Sequence, residues 1–186
     1  MNALEAAQRI GACFDEDGIA YGVGGALALG VWAVPRATKD VDLTAFVDDA
    51  DVPRVIDSLE RAGVIVDRAA ATADVARIGL FKGRLGRIIV LSQHPQYAAM
   101  KLRTIRVADA AGVSTAFLSP EDLAVHKLVF GRSKDITDLE SMFARRPDLD
   151  VTYVRMWLAQ MVPPGDHRLG VLADLERRFL GRASGP

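Results

Sequence analysis

Cysteine is nearly missing from this chain. Cys13 stands alone among 186 residues, which excludes an internal disulfide framework and any cysteine-rich zinc site. Mid-helix and without a nearby base, it reads as a core residue. Long uncharged apolar runs are missing too, and none approaches the roughly 18 residues of a membrane span. Charge of one sign is lacking, with a net charge of −1. No global basic field therefore argues for nucleic acid, and no acidic excess argues for disorder. His94, His126 and His167 are the only histidines; they lie far apart, without metal-ligand spacing, and read as structural. The opening MNALEAAQRIGACFDEDG carries acids early and no apolar core segment. The expectation is no secretory leader, no membrane and a cytoplasmic location.

What remains is globular material: half the residues are hydrophobic and a quarter charged, enough for one domain with or without an appended subdomain. Leu4, Ala7, Ile10 and Phe14 recur at helical spacing, so residues 2–16 read as an amphipathic helix ended by Gly18. IAYGVGG is a short strand running into glycines, and ALALGVWAV a helix stopping before Pro35. DVDLTAFV alternates as a strand, with Val41, Leu43, Ala45 and Val47 on one face and Asp40, Asp42, Thr44 and Phe46 on the other. A turn at DDAD and a helix at VPRVIDSLERAG follow. VIV, VARIGLF, RIIVLS, LRTIRVA and VSTAFLS read as strands, the second and third joined as a hairpin by KGRLGR. Beyond residue 118 the pattern turns helical, beginning at Ser119 as N-cap and Pro120 as first helical residue. The expected fold is α/β (α+β): a core over residues 1–118, its mixed sheet flanked by helices, then a C-terminal helical subdomain over 119–186.

The chemistry gathers between Gly22 and Phe46. Asp40 and Asp42 sit two apart on a strand, so both carboxylates leave one face with Cβ atoms about 7 Å apart, close enough to converge on one hard cation. Magnesium suits such a pair, because it takes one or two carboxylates and completes its shell with water and substrate phosphates. Gly24 and Gly25 fall where a strand enters a helix, so unpaired N–H groups and the positive end of the helix dipole face outward for a phosphate. The dinucleotide fingerprint fails, because Leu27 occupies the place of its third glycine, and no GxxxxGK[ST] phosphate loop occurs. Three other Asp-x-Asp pairs, at 15/17, 49/51 and 148/150, read as helix ends and turns. The 40/42 pair differs because the opposite face of its strand is wholly apolar.

GGALALGVWAVPRATKDVDL resembles the signature of the DNA polymerase β-like nucleotidyltransferase superfamily. The wording Arg36, Thr38, Asp40, Asp42, Leu43 is close to its small bacterial members: aminoglycoside and lincosamide nucleotidyltransferases and the abortive-infection toxins of type IV toxin–antitoxin systems. SPEDLAVHKLVFGRSKDITDLE resembles the later segment of the toxin-like members, which makes Lys127, Arg132, Asp135 and Asp138 candidates. The resemblance implies attack of an acceptor hydroxyl on the α-phosphate of an NTP, with two Mg²⁺ ions. Asp40 and Asp42 would hold the metals, and Gly24, Gly25, Arg36 and Thr38 the nucleotide. Lys127 would serve as a point-charge phosphate partner and Asp138 as a catalytic carboxylate. The implied acceptor is a small molecule, a protein or tRNA, and a cognate protein partner is a further implication.

One part of that pattern is missing. Superfamily members that perform the chemistry carry a third carboxylate on a neighbouring strand. Here the corresponding run, GRIIVLS, has Ile88, Ile89 and Val90, and no acid lies between Asp74 and Asp109. Three readings stay open: Asp74 or Asp109 serves, another group supplies the ligand, or the fold persists without turnover as a binding or regulatory module of a toxin–antitoxin pair. A third function class, nucleic-acid binding, would rest on Lys82, Arg84, Arg87, Lys101, Arg103 and Arg106.

Overall fold

The computed structural model describes residues 2–84, 86–90 (backbone only) and 96–181. The chain divides into two compact units, one of Met1–Ala28 with Ala37–Leu118, the other of Leu29–Arg36 with Ser119–Pro186.

The first unit begins with helix α1 (Ala3–Glu16), opened by a reciprocal capping box between Asn2 and Glu5. Its buried stripe is Ala6, Ala7, Ile10 and Phe14, whereas Leu4 is exposed and Cys13 only half-buried. Strands β1 (Tyr21–Val23), β2 (Leu43–Ala45), β3 (Leu80–Gly83), β4 (Gly86–Val90), β5 (Ile105–Ala108) and β6 (Ser114–Phe117) form one mixed sheet in the order β3-β4-β2-β1-β6-β5. β1 runs antiparallel to β2 and parallel to β6, and β2 runs parallel to β4. β3 and β4 form the expected hairpin, with Gly83 opposite Gly86. α1 packs on β1, β6 and helix α3 (Val52–Arg61). The core there includes Ile10, Phe14, Leu43, Ile56, Leu59 and Phe81, each essentially sealed from water.

Three expected strands need correction. VIV forms none: Val64 is buried but Ile65 is exposed, and of this stretch the Ile65 carbonyl accepts from Arg84. Most of VARIGLF belongs instead to helix α4 (Arg68–Ile78), because Asp67 caps Ala70 and the alanine-rich run that follows favours helix. Gly79, at φ +69°, ends that helix in the left-handed region, and only then does β3 begin. Helix α5 (Gln96–Arg103) takes the start of LRTIRVA and leaves Ile105–Ala108 as strand. From α5, the Tyr97 hydroxyl donates to the Ala45 carbonyl and accepts from Val47 N (3.2 Å), while its ring meets Phe46 edge-on at 5.0 Å. The end of β2 is thus pinned by a residue outside the sheet.

The second unit is helical. Helix α2 (Gly25–Trp32) starts in the first unit, and from Leu29 onward its residues belong to the second. They are joined by α6 (Pro120–Phe130), α7 (Ser133–Arg145), α8 (Val151–Met161) and α9 (His167–Leu175), the last prolonged by a wider π-turn at Glu176–Leu180. α6 packs against α7, α8 and α9 and is buried from Pro120 through Val125 and again at Lys127 and Leu128. A helix buried on all sides must satisfy every charge it carries. Asp122, fully buried, accepts from the Ser119 hydroxyl (2.6 Å) and the Tyr153 hydroxyl (2.7 Å), and Glu121 accepts from Asp150 N (3.3 Å). Trp157 is buried and Met161 half-buried. Among the described residues no helix is long and apolar enough to cross a membrane.

Candidate active site

Within the first unit, β1 runs through Val23, opposite Leu43, directly into the glycines. Gly24 N donates to the Asp42 carbonyl (2.8 Å), and the Gly24 carbonyl accepts the first helical bond of α2, from Ala28 (3.1 Å). Gly25 opens that helix at φ +57°. A Cβ there would fall 2.1 Å from Asp42 Oδ2, 2.8 Å from its Cγ and 2.9 Å from its Cβ. The Asp42 carboxylate therefore lies where the side chain of residue 25 would be, at the positive end of α2. The strand is shorter than the alternation predicts. Its ladder starts at Leu43, so Asp40 and Asp42 precede it, Asp40 exposed and Asp42 half-buried between the buried Val41 and Leu43. Thr44 and Phe46, expected on the polar face, are buried. One residue pair steadies the acidic segment: the Thr38 hydroxyl accepts from Asp40 N (3.1 Å) and donates to the Asp40 carbonyl (3.2 Å).

The strand beside β2 is the one in which a third acid was expected. In its register Ile88, Ile89 and Val90 of β4 face Leu43, Thr44 and Ala45. The other acids proposed for that place are engaged where they stand. Asp74 pairs with Arg77 (2.7 Å). Asp109 shapes the β5–β6 turn, accepting from Ala111 N, Val113 N and Gln8 Nε2. The hydrogen bonds from Val113 and Gln8 outweigh desolvation and lower its carboxyl below the ordinary range. Among the described residues no three of His, Cys, Asp and Glu are grouped so as to hold a metal.

The remaining candidates meet in the second unit. Lys127 and Asp138 are both buried, with Lys127 Nζ 2.6 Å from Asp138 Oδ2 and 3.9 Å from Asp135 Oδ1. Arg36 grips the same Asp138 with a fork, Nε on Oδ1 and one terminal nitrogen on Oδ2, both at 3.0 Å. Arg132 likewise binds Asp135 through Nε (2.6 Å) and a second nitrogen (3.1 Å). Burial pushes the Asp138 carboxyl up, but the hydrogen bonds and charges of Arg36 and Lys127 prevail and leave it below its ordinary value. Pairing of Asp138 with Arg36 across 102 positions carries no periodic signal; only the motif resemblance marked both residues.

The other acidic pairs are occupied structurally. Asp15 binds Arg106 and Asp17 binds Arg61, Asp49–Asp51 is a 3₁₀ turn, Asp148 pairs with Arg146, and Asp150 caps α8. Of the basic cluster, Arg106 is thus neutralised, and it also stacks over Tyr21; Arg87 lies in β4. His167 lies 3.5 Å from Asp166, and His94 falls outside the described residues.

A glycine-headed helix is thus set against an Asp-x-Asp segment on a mixed sheet. Residues 15–161 match the family described as "Nucleotidyltransferase of unknown function (DUF6036)", and the chain belongs to that family. Among solved structures it is similar in fold to the antibiotic-resistance factor ANT(2'')-Ia, with a TM-score of 0.53 and 16% identity over 86% of this chain and 92% of that one. An antigenic nucleotidyltransferase-like protein from Paracoccidioides brasiliensis aligns with a TM-score of 0.48 and 17% identity, covering 92% of each chain. No curated protein matches the sequence.

Proposed function

We propose that the protein is a Mg²⁺-dependent nucleotidyltransferase, moving an NMP from an NTP to an acceptor hydroxyl. The observation that carries this reading is the Asp42 carboxylate set at the glycine head of α2, two residues after Asp40. A hard, anionic oxygen donor at a helix head, with a second carboxylate two residues before it in the sequence, suits a divalent ion that shares its shell with phosphate oxygens. Asp40 and Asp42 are the residues that would hold Mg²⁺, and Gly25 at the head of α2 would present its amide to phosphate; the Gly24 amide, proposed for the same role from the sequence, is taken up by the Asp42 carbonyl. Bound magnesium would supply charge neutralisation at the α-phosphate and on the departing pyrophosphate. Thr38 holds the backbone of Asp40 through its hydroxyl. Lys127, Asp138 and Arg36 are paired inside the second unit, Arg36 with 37% of its side chain exposed; Arg36 and Lys127 stay proposals for phosphate partners on the motif resemblance alone. Acceptors of the proposed reaction are a small molecule, a protein or tRNA, and the antibiotic-resistance factor favours testing small molecules first.

Binding of labelled NTP to the purified protein with and without Mg²⁺ tests the reading. Metal-dependent binding is expected in the wild type and lost when Asp40→Ala and Asp42→Ala are combined. Binding indifferent to both changes refutes it.

A second reading has its own observation, the Ile88–Ile89–Val90 register beside β2. On it the site binds nucleotide without turnover, as a regulatory module in a toxin–antitoxin pair. Pyrophosphate release in the presence of a mixed acceptor pool separates the two: release supports the enzyme, and tight binding with no release supports the module.

A further inference from the structure

We propose that Gly25 is a positioning residue for the Asp42 carboxylate, in addition to opening the helix head to phosphate; the inference rests on the metal-binding reading of Asp42 above. The three contacts of a Cβ at position 25 carry it. The first two, Oδ2 at 2.1 Å and Cγ at 2.8 Å, are relieved if Asp42 turns to another rotamer. The third, Asp42 Cβ at 2.9 Å, is fixed to the backbone and no rotamer moves it. Gly24 N also ties the head of α2 to the Asp42 carbonyl, so the two backbones cannot part without losing that bond. Any side chain at 25 therefore displaces Asp42 itself and turns its carboxylate out of its seat. Gly24 is different. A Cβ there meets only the flexible tip of Leu118 at 3.3 Å and the Asp42 carbonyl at 3.9 Å. The two adjacent glycines thus divide the work: position 24 leaves Asp42 where it is, and position 25 decides where its carboxylate goes.

The test uses the full chain, Mn²⁺ alone as probe, and the ¹³Cγ resonance of Asp42 at fixed pH. Gly25→Ala is expected to shift that resonance and to weaken Mn²⁺ binding about tenfold or more, as loss of a supporting group around a metal does. It should match Asp42→Asn in this respect, while Gly24→Ala stays near the wild type. A Gly25→Ala protein with wild-type Mn²⁺ affinity and an unmoved Asp42 resonance overturns the proposal. Should Gly25→Ala fail to fold, adding Asp42→Gly removes the colliding atoms and is expected to restore part of the melting temperature, short of Asp42→Gly alone because an alanine at φ +57° stays strained whatever its neighbours; no recovery also overturns it. A wild type that binds no Mn²⁺, yet whose Asp42 resonance moves with Gly25→Ala, refutes the metal reading and leaves the positioning role standing.

Discussion

Replacing Asp138 with alanine removes one carboxylate from between two cations, and the structure says how unequally they suffer. Arg36 has 37% of its side chain exposed; its guanidinium takes up water, and losing the fork costs about 1 kcal/mol or less. Lys127 has 4% and no such recourse. An ammonium stranded in that environment costs about 3–5 kcal/mol. Asp135 stays 3.9 Å away, already gripped by Arg132, which softens the loss towards the lower end, about 3 kcal/mol. For a chain of this size the melting temperature should fall by about 6–12 °C. Thermal unfolding at neutral pH, followed by far-ultraviolet circular dichroism, measures it. Arg36→Ala is the companion variant and should cost about a third as much. The pair Lys127→Met with Asp138→Leu should recover most of the loss, because an apolar pair replaces buried charges at little net cost. The reasoning is refuted if Asp138→Ala loses less than Arg36→Ala, or if the double replacement is worse than Asp138→Ala.

Two further outcomes follow from the same unit. The Asp138 carboxyl titrates below its unfolded value of about 3.9, so its stabilisation is complete above that pH and disappears as pH falls through the lower folded value. The wild type should therefore lose stability in that acid window, and the acid limb of Asp138→Asn should be flatter when urea midpoints are compared across pH. Ser119→Ala removes a hydroxyl that accepts from Asp122 N (3.1 Å) and donates to the buried Asp122 carboxylate (2.6 Å); a loss of about 1–2 kcal/mol in urea unfolding is expected.

Much of the fold was legible because its cues are local. Ser119 followed by Pro120, the run closed by Gly63, and Asp150 before an apolar repeat each announce a helix end, and helices lie there. The hairpin at KGRLGR was visible for the same reason. The misreadings share a cause. In VARIGLF the β-branched residues suggest a strand, but the Asp67 cap and the alanines before them carry the helix through to Gly79. Tyr97 reads as an ordinary aromatic until its hydroxyl is seen closing β2 from 52 residues away. At the candidate site, the Asp-x-Asp and glycine pairs stand out in one dimension. That Gly25 yields its side-chain volume to Asp42 does not, because the contact depends on the antiparallel pairing of Val23 with Leu43. The arrangement of Lys127, Asp138 and Arg36 hides in the same way, with two helices and a distant loop bringing it about.

Residues 29–36 belong to a unit whose other members come only after residue 118. Leu29 is almost wholly buried in the finished protein, and Arg36 finds its carboxylate 102 positions downstream. On the ribosome, at about 5–20 residues per second, that segment emerges and waits some 5–20 s for its partners to be made. For that interval an apolar turn and an unmatched arginine hang from the nascent chain. Translation stopped at residue 118 would leave them uncovered for good, so a shortened product is a target for chaperones and proteases.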